Sequence, residues 1–346
     1  MERAFPRRDF LAASAAVSVA AMAPSLARAQ APEKRKVTIA VGGKNLLYYL
    51  PLTIAEQQKY FEAEGLEVEI VDFAGGARAL QAVVGGSADV VSGAFEHTLN
   101  MQAKGQPMRA FVLQGRAPQI VLAVSTKTMA GYKSLADLKG RKIGVTAPGS
   151  STNIMANFVL AKAGIKPAEV SYVGVGASQG AVAAIRAGQV DAISNLDPVI
   201  TILQRAGDIR IISDTRDPAE SEKVFGGPMP AACLYAPVAF LEKNPNTAQA
   251  LASAIVRADK WIQQAGASDV IKVVPESFLL GDRAVYIDAF LKAKSALSPD
   301  GLFPEAGSAT ALRALASVDE AMAKAKLDLK ANYTNDFARK ANLKYK

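Results

Sequence analysis

The sequence predicts an α/β protein of two similar lobes, each with a mixed, mostly parallel sheet, joined by a two-strand hinge. Three observations predict this. Strand-like and helix-like runs alternate along most of the chain, the pattern of parallel βαβ units. Two segments echo each other: Gly85-Gly86-Ser87-Ala88-Asp89-Val90-Val91-Ser92 and Ala187-Gly188-Gln189-Val190-Asp191-Ala192-Ile193-Ser194, each closing an alanine-rich helical run. Their spacing, about 100 residues, is too long for a solenoid repeat and suits a duplicated lobe. Finally, no low-complexity linker separates the halves. The runs 119–125 and 231–236 read as strands that lead out of one lobe and back, a short and stiff hinge. Two lobes make a cleft, and a cleft is where a small-molecule site belongs.

The elements follow in order. Residues 1–29 read as an export signal and are excluded from fold reasoning: Arg7-Arg8-Asp9-Phe10-Leu11 is a twin-arginine pattern, an uncharged alanine-rich run follows, and Ala27-Arg28-Ala29 is a small-x-small cleavage site. The run is too mildly apolar for a retained anchor, and no Cys near the cut offers a lipid attachment point. Strands are expected at 36–41, 68–73, 89–92, 108–113 and 119–125, with helices at 51–63, 77–84 and 96–104. A second set of strands follows at 142–146, 170–173, 191–194 and 209–213, with helices at 152–163, 179–187 and 198–206. Residues 217–230, rich in Pro and Gly, read as a loop. After a strand at 231–236 the pattern is helical, at 245–265, 283–297 and 308–326. Lobe I is assigned to 30–122 and 235–346, lobe II to 123–234.

Composition narrows the function. The formal charge of +8 is diffuse, and its C-terminal lysines are interrupted by acids. Without interleaved aromatics this is a solvated helical face, not a nucleic-acid surface. Cys233 is the single cysteine, so neither an intramolecular disulfide nor a cysteine zinc site is available. No metal or cofactor is expected.

In open parallel sheets, ligands sit beyond the carboxyl ends of the strands, at helix starts. The loops that qualify carry Lys44 and Asn45, then Gly75, Gly76 and Arg78, then Ser150, Ser151, Thr152 and Asn153, then Gly176. The 149–153 loop has small hydroxylated residues, no carboxylate, and free amides at a helix start, the chemistry of an anion or polar-oxygen site. Ser150 or Ser151 can equally act as an N-cap. Gly75-Gly76 permits close backbone approach or forms an ordinary turn. Arg78, in a first helical turn, opposes the helix dipole and either meets a ligand anion or faces solvent. Tyr48 stacks on a ligand or fills the core. Glu96 and His97 follow the third strand at the cleft rim, where either contacts ligand or serves the helix start. Asp89 and Asp191 read as structural, at helix-to-strand turns. Asp197 before Pro198 reads as an N-cap or a specificity residue.

The wording of the chain also resembles a known group. Ala40-Val41-Gly42-Gly43-Lys44-Asn45, Tyr60-Phe61, Glu64-Gly65-Leu66-Glu67-Val68, Gly85 through Asp89, Ser134-Leu135-Ala136-Asp137-Leu138-Lys139-Gly140-Arg141-Lys142-Ile143-Gly144, Asp191-Ala192 followed by Asp197-Pro198, and Ala239 through Pro245 resemble the periplasmic solute-binding proteins of nitrate-, sulfonate- and taurine-type ABC importers. The resemblance covers 37–265. It implies a type II periplasmic binding protein fold and a monomeric, non-enzymatic receptor. It further implies delivery of a small, anionic organic molecule to an inner-membrane permease. Leu196-Asp197-Pro198 departs from the family's frequent aromatic and Glu-Pro, a departure that touches specificity. Two alternatives remain open here. One is an enzyme resembling the pyrimidine-precursor synthases, whose cysteine-rich cluster and histidines this chain lacks. The other is a receptor that docks on a sensor kinase.

Overall fold

A computed structural model describes residues 31–346; the export signal expected at 1–29 lies outside the described residues. β1 (Lys36–Gly42) is buried along both faces, as befits a strand flanked by parallel neighbours and covered by helices. After a 3₁₀ turn at Leu47–Tyr49 comes α1 (Leu50–Gln57), with Pro51 in its first turn. Lys59 adopts a left-handed conformation (φ 57°) before α2 (Tyr60–Ala63), so the single helix expected over 51–63 is two. The first unit continues with β2 (Glu67–Phe73), α3 (Gly76–Val84), β3 (Val90–Ala94), α4 (Glu96–Ala103) and β4 (Met108–Leu113). The second comprises β5 (Val121–Ser125), β6 (Lys142–Val145), α5 (Ser151–Ala161), β7 (Ser171–Gly174), α6 (Gln179–Ala187), β8 (Ala192–Asn195), α7 (Val199–Arg205) and β9 (Ile209–Asp214).

The stretch expected as a loop at 217–230 holds a helix, α8 (Pro218–Phe225). Asp217 caps it by accepting the amides of Ala219 and Glu220, and Pro218 takes the first position. Asp-Pro here is a helix start, not a breaker. β10 (Ala232–Pro237) and α9 (Val238–Lys243) follow, then α10 (Pro245–Gln264), α11 (Ala267–Val273), α12 (Arg283–Ala293), α13 (Gly307–Ala316), α14 (Glu320–Lys324) and α15 (Asp336–Lys344). α10 packs on α1, α2 and α15, which places these helices on the first sheet's side, while α12 packs on α7 of the second unit.

Two five-stranded sheets result, in the orders β2-β1-β3-β10-β4 and β7-β6-β8-β5-β9. The first three strands of each order are parallel, and the fourth runs antiparallel to both its neighbours. That fourth strand is contributed by the far half of the chain in the first sheet and opens the inserted half in the second. The duplication read in the sequence is therefore real in the backbone. Asp89 and Asp191 show its purpose: each carboxylate accepts the backbone N–H of the neighbouring parallel strand, at Thr38 (3.0 Å) and Lys142 (3.1 Å). β5 and β10 each belong whole to one sheet. The chain thus changes sheet within 114–120 and again within 215–231, earlier than the expected boundaries at 122/123 and 234/235, which cut those two strands. The two passages are tied together by the Gln119 amide to the Thr215 carbonyl (3.0 Å) and the Ala231 amide to the Gly115 carbonyl (2.9 Å).

Candidate ligand site in the interlobe cleft

The two sheets point the carboxyl ends of their parallel strands at each other, so the helix starts of α3 and α5 meet across the cleft. They meet directly. The Ala77 amide of α3 donates to the Ser150 Oγ before α5 (3.0 Å). Asn45 Nδ2 donates to the Ala177 carbonyl (2.9 Å), and the Leu47 amide donates to the Asp197 carbonyl (3.1 Å). The glycines permit this approach. A methyl on Gly75 would lie 2.9 Å from Ala147 Cβ and 3.0 Å from Ser150 Oγ, and one on Gly43 would lie 2.7 Å from Ala177 Cβ. Close backbone approach was expected at Gly75-Gly76, and it occurs between lobes.

Several residues expected to hold a ligand have other partners. Thr152 is buried, with its hydroxyl accepting the Thr146 amide (3.1 Å) and meeting the Thr146 hydroxyl (2.9 Å). Asn153 Oδ1 accepts the Gly149 amide, while its buried Nδ2 has no partner. Lys44 pairs with Glu56 (2.7 Å). The Gly176 carbonyl accepts from Asn195 Nδ2 (3.0 Å). Ser150 precedes α5 without a side-chain cap bond, because its hydroxyl serves the other lobe. Asp197 accepts the Thr201 amide and pairs with buried Arg216 (3.2 Å). Burial lifts its carboxyl above the usual range, and the Arg216 charge offsets part of that rise. Arg78 is exposed and lines a groove of about 410 Å³ between the lobes, with Ala74 and Gln81 on its own side and Thr146, Ala147, Pro148, Gly174 and Gly176 on the other. Arg116 lies on another surface, beside Pro218 and Pro299.

Deeper, beside the two passages, is an enclosed cavity that both lobes build. Tyr48 and Glu96 line it from one side, with Ser151, Ile154, Met155 and Phe158 of α5 opposite. Pro118, Ile120, Phe225, Met229, Pro230 and Ala231 come from the passages, and Ala314 and Leu315 from α13. About 20 Å³ of the cavity admits the centre of a water-sized sphere. As the lobes stand, that is room for about one water; a larger guest requires the lining side chains to give way. Phe158 and Phe225 stack (4.8 Å between centroids, 21° between planes), and Tyr48 meets Tyr49 edge-on at 4.8 Å.

Glu96 is the single charged side chain in this lining. It is 4% exposed, and no ion pair joins it to another described residue. Burial pushes its carboxyl up to about 7. His97, beside it, points away: Nδ1 meets the Tyr235 hydroxyl at 3.0 Å, and Nε2 is buried without a partner. Burial holds this imidazole down at about 4, so it is neutral. Burial likewise pushes the Cys233 thiol well up, and the residue packs as a small buried hydrophobe. The sequence had signalled Tyr48, Glu96 and Ser151. It had hidden Ile154, Met155 and Phe158 among ordinary helix residues, and Phe225 and Met229 inside the supposed loop.

This architecture is the periplasmic binding protein fold. The alkanesulfonate-binding protein SsuA of Xanthomonas axonopodis pv. citri, solved bound to MOPS, superposes with a TM-score of 0.63 at 21% identity, over 84% of this chain and 96% of that one. The chain belongs to the NMT1-like family, whose model matches residues 30–274. A solved structure from Bordetella bronchiseptica RB50 is 63% identical with a TM-score of 0.89, over 91% of this chain and 99% of that one. The binding protein YtlA of Bacillus subtilis is 22% identical, over 75% of this chain and 76% of its own length. Other curated relatives are matched over 43% and 56% of theirs.

Proposed function

We propose that this chain is a periplasmic solute-binding receptor that closes on a small organic molecule and delivers it to an ABC permease in the inner membrane. One observation carries the proposal: the enclosed cavity is walled by both lobes and both passages, so a guest there is gripped only when the lobes come together. The likeness to SsuA supports the fold required for such closure. Export through the Arg7-Arg8 signal, cleavage after Ala29 and action as a monomer complete the reading. Catalysis is not part of it. Among the described residues, no hydrogen bond joins the Ser151 hydroxyl to a base, and His97 faces Tyr235 instead of the cavity.

The anionic ligand expected from the 149–153 loop gives way to a mostly apolar one. Of the loop's side chains, Ser150 serves the other lobe while Thr152 bonds Thr146 and Asn153 bonds Gly149, and helix ends alone contribute about 0.3–2 kcal/mol where micromolar affinity needs about 8. Apolar burial at roughly 25 cal/mol per Å² supplies such a sum over a ring-sized body. The test compares protein taken directly from the periplasm with the same protein unfolded, dialysed and refolded. Scattering should show a larger radius of gyration for the refolded sample, restored when the small-molecule fraction is returned. Equal radii throughout would remove closure and the receptor reading with it.

A further inference from the structure

An unpaired carboxyl in an apolar cavity demands a partner. Glu96 projects from the first turn of α4 into walls made by Ile154, Met155, Phe158, Phe225, Met229 and Leu315. Those walls offer carbon and sulfur. The described cations nearest the cavity are engaged or face elsewhere: Lys44 with Glu56, Arg216 with Asp197 and Asp214, Lys162 over the Phe158 ring and on the Val224 carbonyl, and Arg78 in the groove beside Pro148 and Gly176. A solute with negative charge would meet Glu96 without a compensating cation, an arrangement that desolvation makes severe. A solute with positive charge would neutralise it, with its apolar body against the Phe158 and Phe225 side chains.

We propose that Glu96 determines the specificity of this cavity, and that the solute is a ring-sized, mostly apolar molecule carrying a protonated nitrogen that pairs with the Glu96 carboxylate as the lobes close. The inference rests on the receptor reading above and adds the ligand's chemical class. It also sets a proton balance. The groups facing Glu96 are Tyr48 and Tyr49 from the turn before α1 and Cys233 and Tyr235 from β10; His97, next on its helix, points away. Each of these is neutral at pH 7, the phenols and the thiol because burial raises them and the imidazole because burial lowers it. Glu96 alone titrates there, at about 7. A cationic guest therefore expels protons from the protonated fraction of sites on binding. An anionic guest would take up a proton instead.

The experiment uses four matched probes: benzylamine, benzyl alcohol, benzoate and benzenesulfonate. Each is titrated calorimetrically at pH 7, in two buffers of different ionisation enthalpy, into the wild-type protein and into Glu96→Gln. Benzylamine should bind best and release protons. Glu96→Gln, similar in shape, should weaken it about 10- to 100-fold, the range for a lost charge-assisted bond, and should abolish the proton release. The wild-type proton count needs no variant, so the test stands even where Glu96→Gln folds poorly. Preference for benzoate or benzenesulfonate, proton uptake, or indifference to Glu96→Gln would overturn the cation assignment and leave the receptor reading standing. Silence from all four probes would mean that the cavity takes no ring-sized guest, and would bring down both.

Discussion

Gly75→Ala places a methyl group between the lobes and measures how much solute binding depends on their contact. The residue is extended (φ −179°), so alanine adopts its backbone without strain. The obstacle is steric and belongs to the other lobe. The new carbon would stand 2.9 Å from Ala147 Cβ, 3.0 Å from Ser150 Oγ and 3.1 Å from the Ala147 nitrogen. Carbon contacts settle near 3.5–4.0 Å, so the lobes must part by roughly 0.6–1 Å at this point. Overpacking of that size costs about 1–3 kcal/mol. Parting also stretches the Ala77–Ser150 hydrogen bond beside it, worth a further ~0.5–1.5 kcal/mol. The first figure alone shifts the closing equilibrium about 5- to 150-fold and weakens solute binding by up to that factor. Calorimetry with the solute recovered from periplasmic protein, paired with scattering of the same samples, reads both effects. Global stability should fall by no more than the loss of glycine at a helix N-cap entails, about 1 kcal/mol or less. Unchanged affinity and unchanged radius would refute the reasoning, since the closed contact would then be irrelevant to binding.

Three further outcomes follow from the same structure. Glu96 is raised from 4.5 to about 7, so its contribution to stability is full below the unfolded value and is lost as pH rises through 7. His97 is lowered from 6.5 to about 4, so its contribution is full above 6.5 and is lost as pH falls toward 4. Each amounts to about 3 kcal/mol at most, and the two nearly cancel between them. Relative to wild type, Glu96→Gln should therefore lose stability toward about pH 5, and His97→Gln should lose it toward about pH 8, in urea titrations; slopes of the same sign would contradict this. Asp259 is fully buried in α10, neither of its oxygens has a partner, and burial pushes its carboxyl well up. Asp259→Leu should be neutral or stabilise by about 1–3 kcal/mol, most above neutral pH, and a clear loss would point to a hidden partner. N-terminal sequencing of periplasmic protein should begin at Gln30, and replacing Arg7 and Arg8 by Lys should block export.

The fold was largely legible because its signals are local and duplicated. Strand runs, glycine helix ends and the paired Gly-x-x-Asp turns repeat in both lobes, and Asp89 and Asp191 perform the same backbone task. The site was less legible, for a physical reason. Ser150, Asn45, Gly75 and Asp197 carry polar or small-residue signals in cleft loops, but such signals are equally what two lobes need to touch each other. Sequence cannot distinguish an amide offered to a ligand from one offered across the cleft. The cavity walls are apolar side chains such as Phe158 and Leu315, brought together from distant segments by the double passage. Nothing in their local pattern separates them from core. Glu96 was visible only as an acid at a helix start; its meaning came from what surrounds it.

The most direct test is a crystal structure of the periplasmic protein grown with the solute that mass spectrometry finds it carrying. The account predicts that solute between the lobes, with a nitrogen within hydrogen-bond distance of Glu96 and its apolar body against Phe158 and Phe225. A solute held instead beside Arg78, in the groove formed by Ala74, Pro148 and Gly174, would contradict it.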